Sequence, residues 1–201
     1  RGHGCGNSNQ TRCLMMGGSA SSGNQDVIDF ITTASTGNAV DFGNLIEATE
    51  HAAGASSPTR GLVAGGNPGE SDRIQFITIS TTGNAQDFGD LQALGDVMMG
   101  GGMASPIRAI FAGNYTTAIE SVEIASKGNS KDFGDMSSSR GCPHSNTDSI
   151  RGVISGGYTP GSTNSMEYIT ITSSGNGLDF GDLVAATANG FDTVSTAHGG
   201  L

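Results

Sequence analysis

One tripeptide returns along this chain at a nearly fixed interval, and that interval restricts the fold more than any other feature. Asp-Phe-Gly stands at 41–43, 87–89, 132–134 and 179–181, with successive aspartates 46, 45 and 47 residues apart (87−41, 132−87, 179−132). Four residues before each aspartate a Gly-Asn pair opens, at Gly37-Asn38, Gly83-Asn84, Gly128-Asn129 and Gly175-Asn176. Further upstream, Arg12, Arg60, Arg108 and Arg151 each precede an apolar run closed by Gly17-Gly18, Gly65-Gly66, Gly113-Asn114 or Gly156-Gly157. Matched landmarks at a constant period mark a repeat architecture, in which each unit buries its apolar faces against its neighbours.

Each unit reads as four short strands, a to d. Strand a is glycine-rich and irregular, at 1–6, 50–55, 97–103 and 140–144. Strand b is a continuous apolar run at 14–16, 62–64, 110–112 and 153–155, as suits a strand covered on both faces. Strand c is β-branched, at 27–34, 73–80, 119–126 and 166–173; in the second unit Ile74 and Phe76 point one way, Ile77 and Ile79 the other. The Gly-Asn pair supplies a turn into strand d, which carries Asp-Phe-Gly. No segment carries a competing 3.6-residue helical period.

Composition fits small sheets pressed together. With 33 glycines, no tryptophan and 5% aromatic residues, the core is built from small aliphatic side chains at close backbone spacing. A net charge of −10 repels phosphate backbones, so nucleic acid is not an expected partner. No apolar run nears the roughly 18 residues of a membrane-spanning helix, so membrane insertion is not expected. The start at Arg1 suggests a processed or excised piece. Three cysteines lack metal-type spacing and read as buried small hydrophobes, with a Cys5–Cys142 disulfide as the sharper alternative.

The apolar strand ending in Gly65-Gly66, the strand from Ile74 and the aromatic Phe88 resemble the kelch repeat. That resemblance implies an all-β, kelch-like β-propeller of four-stranded antiparallel blades. The units run approximately 1–48, 49–95, 96–138 and 139–184, with a partial fifth at 185–201, as one propeller domain or a fragment of one. Phe42, Phe88, Phe133 and Phe180 stand where kelch repeats carry tryptophan. The wording Arg-Gly-apolar-x-Gly-Gly, Ile-Thr-Ile and Gly-Asn-x-x-Asp-Phe-Gly is similar to repeats in virion structural proteins of marine tailed phages. This likeness implies a virion or extracellular location, with protein subunits of an assembly or a cell-surface glycan as partner.

Residues present in every repeat meet the same surroundings each time, so their default role is structural. On that basis the Phe of each Asp-Phe-Gly packs between blades, the Asp accepts backbone N–H groups at the turn, and the Gly allows close backbone approach. The repeated Arg reads as an inter-blade hydrogen-bonding bridge rather than an anion site. Carboxylates paired at Asp87/Asp90, Asp132/Asp135 and Asp179/Asp182 are too few oxygens for calcium.

Functional candidates are sought where repetition breaks. The loops between strands b and c differ most, and Asn67, Asn114, Tyr115, Tyr158 and Asn164 give them an amide-plus-aromatic chemistry suited to glycans or protein surfaces. Tolerant surface turns are the plainer alternative. If strand a is innermost, His3, His51 and His144 converge on a central channel, as possible metal ligands or as inward polar residues. No nucleophile elbow, His-Glu-x-x-His or phosphate loop is present, so no enzyme activity and no cofactor are expected. The functional expectation is a non-enzymatic structural or attachment protein of a phage-like virion. A soluble lectin-like propeller and a protein-interaction kelch scaffold are the alternatives.

Overall fold

A computed structural model describes residues 1–67, 71–93, 99–188 and 193–195, with residues 99, 100 and 193–195 as backbone only. The described residues contain no helix: four antiparallel four-stranded sheets follow one another as the blades of a four-bladed β-propeller. Blade two is typical, with strands a to d at Ala53–Ser56, Arg60–Ala64, Arg73–Thr78 and Gln86–Asp90, hydrogen-bonded in that order. The fourth sheet gains a fifth strand, Thr193–Ser195, parallel to its strand a, His144–Thr147. The partial fifth unit otherwise falls largely outside the described residues, as do 97–98 of strand a in unit three.

Strands b, c and d lie where their patterns predict, but strand a begins later. It occupies Cys5–Ser8, Ala53–Ser56 and His144–Thr147 in blades one, two and four. The residues before it are taken by isolated bridges to the position after Gly-Gly: Gly2 with Ser19, Glu50 with Asn67, Gly141 with Tyr158. The Gly-Gly pairs make this return possible through left-handed backbone, at φ 64° and 105° for Gly65 and Gly66.

The core lies between blades rather than inside them. One cluster joins Leu14, Met16, Ile28 and Phe42 of blade one to Val63, Ile77 and Ile79 of blade two. A second joins Leu62, Ile74, Phe76 and Phe88 of blade two to Phe111, Val122 and Ile124 of blade three. The third joins Ile110, Ile119 and Phe133 of blade three to Ile154, Ile169 and Ile171 of blade four. Ile74 and Phe76 thus serve one junction while Ile77 and Ile79 serve the previous one, as the period-two alternation predicts. Each buried Phe contributes about 1.5–3 kcal/mol of transfer free energy.

Polar contacts repeat at each junction. The Gly83 N–H donates to the Phe42 carbonyl, Gly128 to Phe88 and Gly175 to Phe133, each at 2.8 Å. Beside them the Asn84, Asn129 and Asn176 side chains accept the N–H of Asn44, Asp90 and Asp135 at 3.0–3.1 Å. Asparagine therefore fills the accepting role expected of the Asp in Asp-Phe-Gly. Asp41, Asp87, Asp132 and Asp179 are all exposed. The arginines bridge as expected: Arg12, Arg60 and Arg108 donate to the carbonyls of Ile79, Ile124 and Ile171 in the next blade, at 2.7–2.9 Å. Arg12 and Arg60 also lie over Phe30 and Phe76 of their own blades. Ser121 replaces that ring in blade three, and Arg108 pairs there with Glu123 instead.

Cys5, Cys13 and Cys142 are free thiols, so the Cys5–Cys142 pairing is not formed. Cys5 and Cys142 are buried, which matches the plainer reading, while Cys13 is only half-buried. Burial pushes the Cys5 thiol up to about 12.

Candidate functional rim

Ser19, Asn67, Tyr115 and Tyr158 each lie seven residues after their repeat's arginine (19−12, 67−60, 115−108, 158−151). One backbone position, just beyond the Gly-Gly or its remnant, thus carries a different side chain in almost every blade. Chemistry that varies on a constant backbone is what a recognition rim requires.

Blades three and four put two tyrosines there. The Tyr115 and Tyr158 rings meet edge to face, with centroids 6.4 Å apart and 81° between planes. Both remain nearly half exposed, at 47% and 44%. Tyr158 is held by reciprocal 2.8 Å backbone hydrogen bonds with Gly141. Tyr115 covers the same glycine, since a β-carbon on Gly141 would stand 2.5 Å from its ring. Gly141 is thus the floor on which the pair rests.

Tyr115 sits in a strained turn. Asn114 and Tyr115 link Arg108–Gly113 to Thr116–Glu123, both with left-handed backbone at φ 60° and 57°. A two-residue hairpin needs positive φ at both central residues, a state asparagine tolerates and tyrosine rarely adopts. Ser139 donates a 2.6 Å hydrogen bond to the Tyr115 carbonyl and helps fix the turn. Burial, with Cys142 and Tyr158 close by, pushes the Tyr115 phenol up, so the hydroxyl stays protonated and able to donate.

Asn67 belongs to a separate polar group. Its side chain donates to Glu50 at 3.3 Å, and its carbonyl accepts from Asn24 at 2.7 Å. A hydrogen bond with Ser19 holds the Glu50 carboxyl below the usual range, and His51, Asn67 and His3 act in the same direction. Asn164 is exposed on the strand Thr163–Thr170. The five loop candidates thus divide into Asn114, Tyr115 and Tyr158 at one junction, Asn67 at another, and Asn164 apart.

The structure pairs two of the three histidines. His3 and His51 stack with ring centroids 4.3 Å apart, and the His51 N–H donates to the His3 carbonyl at 2.8 Å. His144 instead lies 3.5 Å from the Thr187 hydroxyl. Counting from the arginine explains this: His3, His51 and Cys142 share the place nine residues upstream, and all three are left-handed, at φ 56°, 59° and 49°. Cys142 is thus the counterpart of the two histidines, and His144 begins strand a proper. Among the described residues no three His, Cys, Asp or Glu side chains are grouped to hold a metal ion. Sequence reasoning missed Glu50, Asn24 and Gly141, although the constant spacing from the arginines would have pointed to Glu50 and Gly141.

Fold and rim together describe an all-β propeller with a variable edge. No family model and no curated protein matches the chain.

Proposed function

We propose that this kelch-like propeller is a non-enzymatic structural or attachment protein of a phage-like virion, binding other subunits or a cell-surface ligand through its rim. The observation that carries the reading is the strained Tyr115 held against Tyr158. A tyrosine kept in left-handed backbone at an exposed edge costs stability, and such strain clusters where a surface is used. The likeness of the repeat wording to virion proteins of marine tailed phages supplies the setting. Net charge −10 suits a particle surface that stays dispersed. Immunogold labelling of intact particles with antibody against this chain tests the proposal. Label on particles is the expected result; label confined to the particle-free fraction overturns it.

The same tyrosine pair favours a second reading, a lectin-like propeller. Two half-exposed aromatic faces beside an amide offer stacking and hydrogen bonds to a sugar. A glycan array comparing the native chain with Tyr115→Ala and Tyr158→Ala distinguishes the two. Binding lost in both variants supports a glycan ligand, and silence across the array removes that reading.

A further inference from the structure

The fourth blade repeats the sequence of its neighbours, yet its outer flank is bare. Phe42, Phe88 and Phe133 are each 2% exposed, whereas Phe180 is 48% exposed. Next to it, a β-carbon on Gly43 would stand 2.5 Å from the Gly83 carbonyl of the following blade, but one on Gly181 would meet nothing within 4 Å. Arg151 lies over Tyr168 as Arg60 lies over Phe76, but is exposed where Arg12, Arg60 and Arg108 are half-buried against the next blade. The flank of blade four is therefore half of a junction this chain builds three times.

Blade one presents the other half. Its Gly37-Asn38 turn matches Gly83-Asn84, Gly128-Asn129 and Gly175-Asn176 but makes no inter-blade bond among the described residues, and the following Ala39 is exposed where Ala85 and Ser130 are buried. Val63 and Ile77 are 2% and 3% exposed against blade one, while their counterparts Met15 and Ile31 are 38% and 37% exposed. Blades two, three and four use Gln75, Glu120 and Glu167 to accept N–H groups from the preceding blade, at Ile46, Gln92 and Ser137. The counterpart in blade one, Asp29, is instead paired with Arg1 of its own blade at 2.6 Å. Each bare flank has what the other lacks.

We propose that a second copy of this chain docks its first blade on the fourth blade's outer flank, extending the intrachain junction between chains. Phe180 is then covered by Met15 and Ile31. The Phe180 carbonyl accepts the partner's Gly37 N–H, and the Asp182 N–H donates to the partner's Asn38 side chain. The contact joins two different patches, so it runs head to tail and propagates into a ring or a filament.

Light scattering on the eluting protein across a dilution series, with Phe180→Glu and Ile31→Glu variants, tests this. The native chain is expected at a multiple of one chain's mass, and each variant alone at the mass of one. Both positions are exposed, and unchanged circular dichroism confirms that the variants fold. The two variants mixed must yield a one-to-one dimer, because one flank of each remains intact. A native chain that stays single, an assembly unaffected by either variant, or a mixture that stays single overturns the proposal.

Discussion

Gly43 in blade one and Gly83 in blade two are in direct backbone contact: a β-carbon on Gly43 would lie 2.5 Å from the Gly83 oxygen. Gly89 and Gly134 meet Gly128 and Gly175 in the same way. The close approach lets the Gly-Asn turn bond both backbone and Asn side chain to the neighbouring strand d.

Gly89→Ala should cost about 2–4 kcal/mol, since it combines positive-φ strain at 149° with a clash against fixed backbone. Gly181→Ala, placed in the Phe180→Glu background where no second chain packs, should cost only about 1–2 kcal/mol from strain at φ 126°. Denaturant titration of both against their parents measures the difference, and equal losses would remove the argument for backbone contact.

Arg60→Ala should cost about 1.5–3 kcal/mol, because a charge-assisted bond to the Ile124 carbonyl and the contact with Phe76 are both lost. Arg151→Ala in the Ile31→Glu background, where blade four also stays uncovered, should cost under about 1 kcal/mol, since the exposed contact with Tyr168 is what goes. Thermal melts of the two pairs decide it.

Arg140 and Glu167 form an ion pair whose side chains are 0% and 3% exposed. Thr49 and Gln75 occupy the same two places in blade two. Arg140→Thr alone should cost about 3–5 kcal/mol by stranding a buried carboxylate. Adding Glu167→Gln, which transplants the blade-two solution, should return part of that loss. A double-mutant cycle in urea reads the coupling.

Burial, with His3 beside it, lowers the pKa of His51 in the folded chain. The unfolded chain then takes up the proton first as pH falls. Stability from neutral His51 is complete above the ordinary histidine value of 6.5 and is lost as pH falls through the depressed folded value. His51→Asn, which suits the left-handed backbone there, should flatten the fall in melting temperature between neutral and mildly acidic pH. An unchanged slope would exclude His51 as its source.

A limiting maleimide at neutral pH should modify Cys13 before the other two thiols, because Cys5 and Cys142 are buried with raised pKa values. Peptide mass spectrometry identifies the labelled site.

Much of the fold is legible in the repeat. The alternation at Ile74, Phe76, Ile77 and Ile79 states that each sheet has two apolar faces, and packing blade on blade answers it. Position within the series is not legible: Phe180 has the same local sequence as Phe88, yet one is exposed and the other buried, because the difference lies in the presence of a neighbour. The start of strand a is not legible, because bridges such as Gly141 to Tyr158 use the glycine-rich lead-in for another purpose. The rim is legible as loop variability and as a constant seven-residue spacing from the arginines, but not the contact between the Tyr115 and Tyr158 rings, which depends on how blades three and four pack. Residue type makes His144 the third histidine of a set, whereas backbone conformation assigns that place to Cys142.

Because each apolar cluster among the described residues is shared by two consecutive blades, none of these blades relies on an interior of its own. Within a single chain the middle blades are anchored on both sides and the terminal ones on one, so fraying is expected to begin at the extremities wherever no second copy covers them. Removing a whole internal unit would merge two half-clusters of like composition into one, so a chain of this kind can change length by a unit without redesigning its packing.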